Sequence, residues 1–254
     1  EYDAVSGVSQ AAGVARQQPL ICGGPGHGCG HNLLGAGSLG AALAVKDYLE
    51  ATGRPGRVML FGCPAEEGGA GKGFMARDGV FDEADCAFTW HPADINAVTR
   101  DSSLANVQLN FRFLGTASHA ALSPEHGRSA LDALELMNVG VQFLREHIVQ
   151  EARIHYAILD TGGTSPNVVQ PTAAATYLIR APKNPTVADI RQRVSDIARG
   201  AALMTGTRVE ETFGKACSSI IPNLTLEKLL QANMELIGCP GYTAEEEEFA
   251  RALR

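Results

Sequence analysis

The chain has 254 residues, enough for one large domain or two ordinary ones, and its 45% hydrophobic content can fill a core. A formal net charge of −7 disfavours nucleic acid or an anionic membrane as partner, while local arginines still leave room for a small anionic substrate. No run of about 18 apolar residues marks a membrane span. The six cysteines are scattered over the whole length, which favours reduced intracellular thiols, and with them a cytoplasmic location, over a disulfide framework.

In chain order, Glu1-Tyr2-Asp3-Ala4-Val5 reads as the end of a strand, so the chain is expected to start within a domain. Gly26-His27-Gly28-Cys29-Gly30-His31-Asn32 is a glycine-rich loop in which a thiol and two imidazoles can converge. Both residue types bind transition metals, though the stretch alone is equally an ordinary turn with a buried cysteine. Leu33 to Ala51 reads as a helix rich in Ala and Leu, closed by Thr52-Gly53-Arg54-Pro55-Gly56. The apolar runs Arg57 to Gly62 and Asp85 to Trp90 read as buried strands, with a short helix from Gly73 to Val80 between them. Such alternation predicts an α/β domain with a mainly parallel sheet. Ligands bind beyond the carboxyl ends of such strands, where Glu66, Glu67 and His91 would lie.

The pattern changes near Thr99. Val107, Leu109, Phe111 and Phe113 alternate with Gln108, Asn110 and Arg112, as in a strand with one solvated face. A helix (128–147), two strands (153–159 and 172–180), a helix (187–204) and a strand (208–213) follow, an order of β-α-β-β-α-β. That is the split pattern of a ferredoxin-like domain. Helices are expected from Leu224 to Ile237 and after Thr243, which with Glu246 forms a capping box. The expected division is a first domain over 1–99 and 223–254 with a second, 100–222, inserted into it.

Cys29, His31, Glu67 and His91 together form an S, N, O, N donor set drawn from loops at one edge of one expected sheet. A metal hydrolase needs one group on the metal and another to take a proton from water, which suits the pair Glu66-Glu67. Spacing does not say which does which. Gly68 to Gly73 fails as a phosphate-binding loop, lacking glycine at Glu66 and Ser or Thr at Gly73. Ala36-Gly37-Ser38-Leu39-Gly40 fails as a nucleophile elbow, and Cys29 remains a rival thiol nucleophile. In the inserted part, Ser118-His119-Ala120 and Asn167 fall in loops and Arg180 ends a strand. His126, His147 and His155 lie in no motif.

The succession GHGCGHN, PAEEGG, TWHP, SHAA-x-SP and SPNVVQ, with Arg180 downstream, resembles the aminoacylase/carboxypeptidase-type metallopeptidase family over essentially the whole chain. The resemblance implies a metal-binding catalytic α/β domain with an inserted ferredoxin-like lid that dimerises. It implies Cys29, His31, Glu67 and His91 as metal ligands and Glu66 as general base. Asp3 would orient a ligand, and His119 would polarise the scissile carbonyl, commonly in the partner subunit's site. Asn167 and Arg180 would hold the substrate carbonyl or carboxylate. The implied cofactor is one or two divalent ions, manganese or zinc. The implied activity is hydrolysis of an N-acyl amino acid amide, first of all aminobenzoyl-glutamate, by a homo- or heterodimer acting on a small anionic substrate without nucleic acid or membrane. Other N-acyl amino acids, dipeptides, or a non-catalytic partner subunit are the alternatives. The family places further catalytic-domain segments, including a final ligand histidine, beyond these residues. The 254 residues alone are therefore expected to be inactive or metal-poor.

Overall fold

The computed structural model describes residues 1–254 and divides them into two units, Glu1–Arg100 with Asn223–Arg254, and Asp101–Pro222.

In the second unit, strands β1 (Ala105–Leu114), β3 (Arg153–Asp160), β5 (Thr172–Ala181) and β6 (Arg208–Cys217) form one sheet in the order β3-β5-β1-β6. Every neighbouring pair in it is antiparallel. The alternation read from sequence sets the core. Leu109 lies opposite Tyr177 and Phe111 opposite Ala175, all buried, while Gln108, Asn110 and Arg112 turn to the other face. Two helices, α4 (Ala130–Arg145) and α5 (Asn184–Thr205), pack on the buried face through Leu134, Met137, Val141, Ile190 and Val194. Each large side chain so buried stabilises the fold by roughly 1.5–3 kcal/mol. Ser129 caps α4 by accepting from the Asp132 N–H. β6 runs on past Phe213 because Gly214 is an extra residue opposite the Gln108–Leu109 step, a bulge that restores register up to Cys217. A second ladder joins β2 (Ser118–His119) to β4 (Val168–Val169) where sequence suggested only loops. A short 3-10 turn, Pro124–His126, follows β2.

The first unit is helical: α1 (His31–Thr52), α2 (Glu66–Gly69), α3 (Gly71–Arg77), α6 (Leu224–Ile237) and α7 (Ala244–Ala252). Left-handed glycines bound α1 at both ends, Gly30 (φ 74°) and Gly53 (φ 63°). The side chain of Asn223 caps α6, and Thr243 with Glu246 closes the capping box of α7. The parallel sheet does not form. Arg57–Gly62 and Asp85–Trp90 are not strands, and Leu60, Phe88 and Trp90 are exposed. An apolar run records a demand for burial, but a strand also needs a neighbour to pair with. The only β-type pairing in this unit is an isolated bridge between Val5 and Gly26. The protein is thus a mixed α/β chain whose central sheet is antiparallel and lies wholly in the second unit.

Candidate metal centre

The Val5–Gly26 bridge lays the segment Glu1–Val5 beside the glycine-rich loop, and His31 opens α1 directly behind that loop. His31 is buried (1% exposed) although its imidazole is polar. Its Nδ1 lies 2.9 Å from the backbone oxygen of Asp3. A carbonyl can only accept, so Nδ1 carries the proton and Nε2 offers a bare lone pair. That lone pair faces Glu1 Oε2 at 3.1 Å, Glu66 Oε2 at 3.8 Å and Glu67 Oε1 at 3.8 Å. His91 uses the same device: its Nδ1 donates to the Pro92 carbonyl at 2.8 Å, freeing Nε2. The two rings meet edge to face, centroids 6.0 Å apart. Donor atoms of Glu1, His31 and His91 lie within 4.8 Å of one another, and so do those of His31, Glu66 and Glu67.

The two carboxylates are carried by an unusual turn. Ala65 and Ala70, on either side of α2, both take left-handed backbone (φ 55° and 52°), a conformation that costs a non-glycine residue about 1–3 kcal/mol. Glu66 emerges the more exposed, 44% against 27% for Glu67. Asp3 ties the parts together, its Oδ2 accepting the Glu67 N–H at 2.9 Å. Burial pushes the Asp3 carboxyl up, but backbone N–H donors led by that of Glu67 outweigh it, and its pKa falls below the ordinary value. The neighbouring Glu67 side chain, then partial burial and the charges of Glu67, Glu66 and Asp3, hold the Cys29 thiol above its ordinary pKa. A thiol kept protonated is the wrong species for a nucleophile, which weighs against the thiol-catalysis rival. A cation arriving beside it would displace that proton and gain a thiolate.

In the second unit, the β2–β4 ladder sets His119 against Asn167. The Ala120 N–H donates to the Asn167 carbonyl at 3.0 Å, and the Asn167 amide meets His119 Nε2 at 3.1 Å. His119 Nδ1 accepts two backbone N–H groups, from Ala121 (3.2 Å) and Leu122 (3.1 Å). With Nδ1 accepting, the neutral ring carries its proton on Nε2, and the Asn167 amide, whose Nδ2 stands at 3.1 Å, has to turn over to offer its oxygen there. Arg180 is not brought to this pair. It sits eight residues along β5 from Thr172, roughly 27 Å at a rise of ~3.4 Å per residue.

Residues 2–251 match the family described as Peptidase family M20/M25/M40. The chain belongs to that family. It is 53% identical over 254 residues to one subunit of the p-aminobenzoyl-glutamate hydrolase of Escherichia coli (strain K12), covering all of this chain and 53% of that protein. It is 34% identical over 216 residues to the Xaa-Arg dipeptidase of Mus musculus, covering 84% of this chain and 50% of that one. Among solved structures, one from methicillin resistant Staphylococcus aureus described as an aminohydrolase superposes with a TM-score of 0.66 at 17% identity, over 93% of this chain and 62% of that one. The last shows a shared fold only. The chain spans about half the length of the curated relatives it matches.

For a member of the M20/M25/M40 family, the decisive question is whether these donors suit a divalent cation. They do. Nε2 of His31 and Oε2 of Glu1 are buried, have no hydrogen-bond partner, and face each other as two acceptors. Two lone pairs at that separation repel unless a proton or a cation lies between them, and a divalent cation suits this donor set. Sequence reasoning named His31, Glu66, Glu67, His91, Cys29 and Asp3 but missed Glu1, whose only local signal is its place two residues before Asp3.

Proposed function

We propose that this chain carries the metal centre of an amidohydrolase that cleaves the amide bond of an N-acyl amino acid, with aminobenzoyl-glutamate as first substrate. The observation that carries the reading is the bare Nε2 of buried His31, facing three carboxylates with Cys29 and His91 alongside. His31, His91, Glu67 and Cys29 would hold the cation. Manganese suits the carboxylate and imidazole donors, and zinc suits the thiolate. Bound there, the ion supplies Lewis acidity that polarises the scissile carbonyl and lets water ionise near neutral pH.

The chain's own residues do the rest. Glu66, the more exposed carboxylate, takes the proton from water and passes it to the leaving amine. Asp3 holds His31 in the tautomer that binds metal and fixes the Glu67 backbone. Residues 101–222 act as a ferredoxin-like lid, a reading supported by the element order and the strand order β3-β5-β1-β6. His119, with its Nε2 proton, donates to the carbonyl oxygen as that atom gains charge. Arg180 grips the carboxylate of the substrate. Because His119 and Arg180 stand far apart within one unit, a small substrate would touch both only if two subunits contribute. A dimer formed through the lid meets that requirement. The hydrolase relative bears the name of one subunit of its enzyme, which supports a heteromer as well as a homodimer.

The test is metal content and turnover of the intact protein against aminobenzoyl-glutamate, N-acetyl and aromatic N-acyl amino acids, and dipeptides. Metal uptake with preference for aminobenzoyl-glutamate upholds the reading. Preference for dipeptides ending in arginine would favour the second reading, which the dipeptidase relative supports. Absence of metal and of amide hydrolysis would reject both.

A further inference from the structure

Glu1 stands in no motif, yet it has the closest carboxylate oxygen to the bare lone pair of His31, at 3.1 Å. Its side chain is nine-tenths buried (10% exposed). Oε2, the oxygen turned towards His31, has no hydrogen-bond partner. The other oxygen, Oε1, is held by the Lys72 ammonium, which reaches over from α3. His91 completes a three-residue group, Glu1, His31 and His91, whose donor atoms all fall within 4.8 Å of one another. A carboxylate anchored by a lysine on one side, with a buried oxygen aimed at two imidazoles on the other, is arranged as a ligand is arranged. An ion pair with His31 alone would require a proton on Nε2 while Nδ1 keeps its own against the Asp3 carbonyl.

We propose that Glu1 is a further ligand of the divalent cation, sharing it with His31 and His91, and that Lys72 is the positioning residue that aims Glu1 at it. His31 then belongs to two donor groups, one with Glu1 and His91 and one with Glu66 and Glu67. The inference rests on the metal-dependent reading above, and the experiment separates the two.

Intact protein is stripped with a chelator and titrated with Co²⁺, reading affinity by calorimetry and ligand geometry by the visible absorption of the bound ion. Glu1→Gln should weaken binding by more than ~100-fold and change the absorption band, because a ligand is lost. Glu1→His, which restores a donor atom, should keep affinity within about tenfold of wild type with a shifted band, and it serves where the Gln variant fails to fold. Lys72→Met should weaken binding by about 10–100-fold, the usual scale for an outer partner, and leave the band shape unchanged. Wild-type affinity and spectrum in Glu1→Gln would overturn the ligand assignment alone. Equal losses in Glu1→Gln and Lys72→Met with identical bands would also overturn it, because Glu1 would then act only through the ion pair. A wild-type protein that takes up no Co²⁺ would overturn the metal-dependent reading and this inference together.

Discussion

Gly30 lies so close to Pro92 that a Cβ on it would sit 2.8 Å from the proline Cγ. This contact joins the loop carrying Cys29 and His31 to the loop carrying His91. Gly30 also has left-handed backbone, as does Gly53 at the other end of α1, where a Cβ would meet nothing within 4 Å. The pair makes a controlled comparison. Both Gly30→Ala and Gly53→Ala should cost about 1 kcal/mol of stability from backbone strain. Only Gly30→Ala should also weaken metal binding, because Pro92 and with it His91 must move. Calorimetric metal titration of both variants checks this, and equal affinities would refute the coupling.

Glu66 and Glu67 are adjacent, and the proposed function gives them different work. Glu66→Gln should keep metal content at the wild-type level and lower kcat by about 10²–10⁴-fold, the usual worth of a general base. Glu67→Gln should lose metal. Elemental analysis alongside turnover decides the matter: metal lost with rate retained in Glu66→Gln would reverse the assignment.

If His119 serves the site of a second subunit, inactive variants should rescue each other. Glu66→Gln and His119→Ala, dissociated and reassembled together, should recover roughly a quarter of wild-type activity, since half the dimers are mixed and each mixed dimer has one complete site. Mixtures that stay as inactive as the separate variants would place His119 in its own subunit's site.

The core of the second unit holds one buried polar pair. The Tyr177 hydroxyl donates to Oδ1 of Asn138, joining β5 to α4. Burial, then the neighbouring Tyr156, pushes the Tyr177 phenol far above its ordinary pKa, so it remains a donor. Tyr177→Phe should cost about 1–3 kcal/mol by leaving the amide oxygen unpartnered. Adding Asn138→Leu should return part of that loss. Urea unfolding of the single and double variants measures both.

Acid should loosen the β3–β5 connection. Asp160 accepts the Gly162 N–H at 2.8 Å and the Thr172 hydroxyl at 2.9 Å, and these bonds, in that order, hold its carboxyl below the ordinary pKa. A folded-state pKa below the unfolded value means that the contribution is complete above the unfolded value near ~3.9. It is lost as pH falls through the lower folded one. Wild type should therefore exceed Asp160→Asn in Tm at pH 7, and the gap should close on acidification below about pH 4. A gap unchanged at low pH would show that charge is not the cause.

Much of this architecture was legible in the residues alone. The alternation from Val107 to Phe113, the Ala- and Leu-rich run of α1 and the Thr243–Glu246 box each depend on neighbours a few positions away. Periodicity and capping report such local relations directly. So do residue types: a thiol, imidazoles and paired carboxylates announce ligand chemistry wherever they fold. The tertiary structure decided the rest. It denied strands to Arg57–Gly62 and Asp85–Trp90, since pairing needs a neighbour that composition cannot supply. It brought Glu1 and Lys72 to the centre and paired His119 with Asn167 through a two-residue ladder. It also chose which nitrogen of His31 and His91 stays bare, because a tautomer is set by the carbonyl that happens to lie opposite. Lone pairs converge in space, and distance in space is what a linear pattern does not record.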